Sequence, residues 1–103
     1  MTSPPAPSPA PLPPPTVFTI GAPDGLSLEE LKAAVLAQVR SGDARLVVDL
    51  RRAGPLDGRA VGTLLYGQAL CDQAGGSLTL RLSDVQRATL APHSGLLSEE
   101  HQR

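Results

Sequence analysis

Apolar positions follow two rhythms along this chain, a period of two or a short continuous run in some stretches and a helical period in others. The clearest boundary between them lies between Arg45 and Gly76. The run Leu46-Val47-Val48-Asp49-Leu50 is bounded by Gly42-Asp43 and by Arg51-Arg52, and predicts a buried strand. A polar loop with Gly54 and Pro55 follows. Asp57 then offers a side-chain acceptor for free helix N–H groups, and an apolar-periodic run to Ala74, closed by Gly75-Gly76, predicts a helix. On that helix Ala60, Val61, Leu64, Leu65 and Cys71 form the expected core face. Tyr66 and Leu70 are expected roughly opposite, one turn apart.

The flanking stretches repeat the alternation. Thr16 to Ile20 is β-branched and aromatic and predicts a first strand, followed by a turn over Gly21 to Gly25. Ser27-Leu28-Glu29-Glu30 has the form of a capping box. It opens a helix to about Arg40 whose apolar stripe is Leu28, Leu31, Val35 and Val39. Ser77 to Leu82 alternates strictly, as a half-buried strand does. Ser83-Asp84-Val85-Gln86 is a second capping box, starting a short helix to about Leu90 that Pro92 and Gly95 interrupt. Three strands alternating with three helices predict an α/β layer with helices packed on a sheet. The expected domain spans 16–97, and the polar run Ser98-Glu99-Glu100-His101-Gln102-Arg103 is expected to be a tail.

Met1 to Pro15 breaks both rhythms. Its eight prolines among Ala, Ser, Thr and Leu remove backbone donors and favour extended polyproline II, so a disordered tail is expected. Pro11 to Pro14 fits P-x-x-P, which leaves open a proline-rich ligand for a partner. The segment has neither a basic n-region nor an apolar h-region, and no apolar run reaches the ~20 residues that span a bilayer. With the lone Cys71, these features predict a cytoplasmic protein.

Composition narrows the chemistry. The net charge of −1 gives no global field for nucleic acid or anionic membrane, and Phe18 and Tyr66 are the only aromatics, too few for base stacking. Cys71 lies on the expected core face, and His93 and His101 lie in a loop and in the tail. No pair has metal-ligand spacing, and no phosphate-binding loop or nucleophile elbow is present. Asp49 and Asp57 have structural explanations at a strand end and a helix cap. A binding protein without cofactor or metal is therefore expected, not an enzyme.

The order strand, loop, Asp-capped helix, Gly-Gly, strand, short helix, Ser94-Gly95-Leu96 resembles the STAS domain, the fold of bacterial anti-sigma factor antagonists and of sulfate-transporter tails. In that family a strand ending in a "vvlDl" pattern leads to D-S-[ST]-G-x-G at a helix start. Here the strand is Val47-Val48-Asp49-Leu50 and the motif loop reads Asp57-Gly58-Arg59-Ala60-Val61-Gly62; Asp57 and Gly62 match, while Gly58, Arg59 and Ala60 do not. The resemblance covers most of 17–96. It implies a small mixed β-sheet, with two N-terminal strands where one is expected here, and a last strand and helix that are expected to be missing, as in a domain truncated at its C-terminus.

The resemblance also implies function: docking to a protein partner through the motif loop and its helix, switched by phosphorylation of the Ser after the motif Asp. Gly58 stands at that position and has no hydroxyl, so no phosphoacceptor is expected there. The implied partner is an anti-sigma factor or related ATPase-type kinase, which would make the chain a regulator of transcription. Small free-standing STAS proteins also serve as accessory subunits of lipid-transport ATP-binding-cassette complexes. The residues expected to meet a partner are Arg52, Arg59, Tyr66 and Leu70. Arg51, Arg52 and Arg59 are read either as solvated loop arginines or as one basic rim, the latter fitting a small-ligand or nucleotide sensor.

Overall fold

The computed structural model describes residues 14–93 and 95–100. The elements are β1 (Thr16–Thr19), α1 (Leu28–Arg40), β2 (Arg45–Asp49), α2 (Gly58–Gln73), β3 (Ser77–Arg81), α3 (Asp84–Leu90), a 3-10 turn (Ala91–His93) and β4 (Ser98–Glu99). The expected tail of residues 1–15, apart from Pro14 and Pro15, lies outside the described residues, as does His101.

Both predicted capping boxes form. Ser27 Oγ accepts from the Glu30 amide at 3.2 Å while Glu30 Oε1 accepts from the Ser27 amide at 3.2 Å. The Ser83–Gln86 pair does the same at the start of α3. Each box satisfies helix N–H groups that would otherwise lack partners. At the far end of α2, Gly75 takes φ +77°, a left-handed conformation that a side chain would oppose, and the chain turns into β3.

The four strands lie in the order β1-β2-β3-β4. All three pairings are parallel, with Val17 opposite Val47 and Val48 opposite Leu80. The α/β class expected from the sequence is therefore observed, with a parallel sheet where a mixed one was expected. The reason is connectivity: a helix separates each pair of successive strands, and a crossover of that kind returns the chain in the same direction. Sequential strand order with one crossover hand places the three helices on one face. The core fits this. Leu46, Val48, Leu78 and Leu80 of the sheet, with Leu50 just past β2, join Leu31, Val35, Ala60, Leu64, Cys71 and Leu90 of the helices in one buried cluster. The alternate positions Val17, Thr19, Val47, Asp49, Thr79 and Arg81 face the other way.

The fourth strand corrects the expectation of three. Ser98 and Glu99 sit within the stretch read as a polar tail, yet they pair with Thr79 and Leu80. Leu97 is the cause. It is 8% exposed, buried in the same core cluster as Leu80 and Leu90, and its anchoring holds the next residues against β3. Arg81 and Arg87 neutralise the acids that follow, binding Glu100 and Glu99. At the opposite edge the chain partly covers β1 itself, since the Leu26 amide donates to Thr19 O at 2.8 Å and the Gly21 amide to Leu26 O at 3.2 Å.

Candidate docking groove between the starts of α1 and α2

Two helices begin side by side on the outer layer. Asp57 has extended backbone (φ −101°, ψ 178°), and its Oδ1 accepts from the Ala60 amide at 2.8 Å, fixing where α2 starts. Gly67 allows the layers to close: it is buried, and a Cβ there would stand 3.1 Å from Leu78 Cδ1 and 3.8 Å from the Val35 methyls. With α1 and α2 packed together, their first turns enclose an open groove of about 840 Å³, lined among others by Ser27, Glu29, Lys32, Arg59, Thr63 and Tyr66.

The contacts across this groove are loose. Lys32 Nζ lies 4.5 Å from the centre of the Tyr66 ring, a cation–π arrangement at an exposed site. Arg59 and Glu29 approach to 3.8 Å with side chains 82% and 80% exposed, so solvent screens the pair strongly. Tyr66 itself remains 39% exposed. The bare first turn of α2 adds to the picture. A Cβ at Gly58 or at Gly62 would meet no atom within 4 Å, and neither residue has positive φ. A helical glycine costs roughly 0.5–1 kcal/mol relative to alanine. At Gly67 close packing explains the residue; at Gly62, inside the helix, no close contact requires a glycine, and Gly58 is the first helical residue.

The residues expected to meet a partner do not all come together. Arg59 and Tyr66 share the groove. Arg52 lines a separate open groove along β1, of about 900 Å³, together with Arg51, Asp24 and Asp49. Arg51 and Arg52 thus line one groove and Arg59 the other. Arg51 is in addition held by Asp49 through two contacts, Nε to Oδ1 at 3.1 Å and Nη2 to Oδ2 at 2.8 Å. That hydrogen bonding, more than burial opposes it, holds the Asp49 carboxyl below its ordinary range. Leu70 also departs from its expected outward face. It is half-buried and packs against the core cluster.

Cys71 is buried, and burial pushes its thiol pKa up, away from reactive thiolate. Leu65 is half-buried on the edge of the α2 core face. Thr63, the hydroxyl nearest the motif, donates to Arg59 O at 3.1 Å within its own helix. Among the described residues no group of three or more potential ligands could hold a metal, and no helix is long and apolar enough to cross a membrane. Sequence reading missed Glu29 and Lys32. Both sit on the polar side of α1, and nothing local signals that this side turns toward α2.

Residues 16–94 match the family model described as "Mlab, STAS domain". No curated protein and no solved structure matches the chain.

Proposed function

Since the chain belongs to the STAS domain family, a family of interaction and regulatory modules, we propose that it is a protein-docking module and not an enzyme, cytoplasmic and working without a cofactor. Its partner surface is the groove between the starts of α1 and α2, and its partner is an ATPase-type regulator of the anti-sigma factor class. The observation that supports this most is the first turn of α2. Gly62 weakens the helix without filling any close contact of the domain, and both it and Gly58 leave exposed backbone beside Arg59 and Tyr66. A partner that approaches this turn closely would compensate for the weakness. An exposed aromatic beside an arginine is also the usual make-up of an interface hot spot.

The same turn removes the serine switch. With glycine at the family's phosphoacceptor position, binding would be constitutive instead of cycling with phosphate. That favours a second reading, a standing accessory subunit of a lipid-transport ATP-binding-cassette complex.

Purified candidates from the two classes, anti-sigma kinases and transporter ATPase subunits, can be titrated separately against the full chain. Binding by one class selects the reading, and Arg59→Glu should weaken it most at low salt, since exposed charges act through screened fields. Binding by neither class, or binding indifferent to both Arg59→Glu and Tyr66→Ala, would overturn the proposal.

A further inference from the structure

We infer that Gln86, on α3, is the positioning residue that presets the β2–α2 loop leading into the docking groove. The loop runs from Leu50 to the Asp57 cap. It opens with a turn in which the Ala53 amide donates to Leu50 O at 2.9 Å, passes through Gly54 at φ +75°, and buries Leu56. Gln86 is 1% exposed and lies behind this turn. Its Nε2 donates to Leu50 O at 2.5 Å and to Gly54 O at 2.7 Å, so one amide group ties both ends of the turn. Its Oε1 accepts from the Ser83 amide at 3.0 Å, which anchors that amide group to the cap of α3. Every polar atom of the side chain is engaged, as a buried amide requires.

A glycine closes the clamp from the other side. A Cβ at Gly21, where φ is +83°, would fall 2.7 Å from Arg52 O and 2.8 Å from Ala53 Cα. The turn thus rests on the backbone of the β1–α1 loop while Gln86 holds it from α3. The side chains nearest to glutamine in size do not reproduce this set of bonds. Asparagine is one methylene shorter, glutamate has no donor at neutral pH, and methionine has neither donor nor acceptor of comparable strength. The consequence for binding rests on the docking proposal above: a partner would meet a preset loop and a fixed start of α2, with less ordering cost on association. The clamp itself is a property of the free protein and is tested there.

The test is native-state hydrogen exchange on the full chain, read as protection factors beside global stability from denaturant unfolding. In the wild type, the two side-chain amide protons of Gln86 should exchange slowly. In Gln86→Met, protection of the Ala53 amide should fall at least tenfold further than that of the Val48 amide in β2. Leu64→Ala, the control, should lower stability without this selective loss. Gln86→Glu should resemble the methionine variant at neutral pH and recover part of the Ala53 protection in acid, where the protonated carboxyl regains one donor. If Gln86→Met does not fold, the wild-type side-chain protons and the glutamate variant still decide. Fast exchange of those side-chain protons, Ala53 protection that only follows global stability, or a glutamate variant insensitive to pH would overturn the inference. Any of these results leaves the docking proposal untouched, and loss of partner binding leaves the clamp untouched.

Discussion

Two polar surfaces of this domain carry similar charges but hold them differently. On the open face of the sheet, Asp49 is clasped by Arg51 and sits beside Arg81, which in turn binds Glu100 at 2.5 Å; the side chains of that last pair are 27% and 33% exposed. Around the groove between α1 and α2, Arg59 meets Glu29 only at 3.8 Å in nearly full solvent, and Lys32 rests on the face of Tyr66. The first surface satisfies its charges internally. A partner would have to break short, partly shielded bonds to use it. The second gives up almost nothing when its side chains rearrange. Geometry and exposure, not the number of ion pairs, separate a surface built for the fold from one available for binding.

The comparison can be broken by mutation, and the largest effect belongs to neither surface. Leu64→Ala removes a fully buried side chain on the inner face of α2, and should cost about 2–5 kcal/mol of stability in denaturant unfolding, with binding per folded molecule unchanged. Next comes Tyr66→Ala. It should weaken partner binding at least tenfold, ~1.4 kcal/mol, in a titration at a nearly unchanged unfolding midpoint. Leu70→Ala, one turn on, should mix the two effects because Leu70 packs on the core, so only Tyr66 separates docking from folding.

Asp49→Asn probes the sheet face and should be smaller, on the order of 1 kcal/mol at neutral pH. The sign of its pH dependence follows from the pairing. The folded carboxyl titrates below its unfolded value of about 3.9, so the stability it contributes is present above that pH and is lost as pH falls through the folded value. The asparagine variant should therefore lack part of the acid limb seen in the wild type, and the two stability curves should converge in strong acid. Curves that stay parallel across that range would show that Asp49 is not held by Arg51. The smallest effect is expected from deleting residues 1–13. Their proline-rich sequence predicts no change in the unfolding midpoint, and a drop of several degrees would show that they cover part of the domain.

Much of the fold was legible because it depends on local chemistry. The two capping boxes, the Asp57 cap and the strict alternation of Ser77 to Leu82 locate their elements to within a residue. What escaped depends on contacts distant in sequence. A two-residue polar strand has no periodicity to read, and β4 exists because Leu97 is drawn into the core. Leu70 looks outward on an isolated helix, yet in the assembled domain it packs against the core. The candidate site was half legible for the same reason: Arg59 and Tyr66 belong to the helix that the sequence marks out, whereas Glu29 and Lys32 reach them from another. Gln86 was read only as half of a capping box. Its amide nitrogen, which the box leaves unused, was the one available sign of a second role.

The central claim is that partners dock on the groove and not on the sheet. Mapping backbone amide NMR shifts on the full chain, with and without a saturating partner ATPase of either class, tests it most directly. The account predicts shifts or line broadening concentrated at residues 27–32 and 58–66, with Val17, Thr79 and Arg81 unmoved. A footprint centred on those sheet residues, with the starts of α1 and α2 silent, would contradict it.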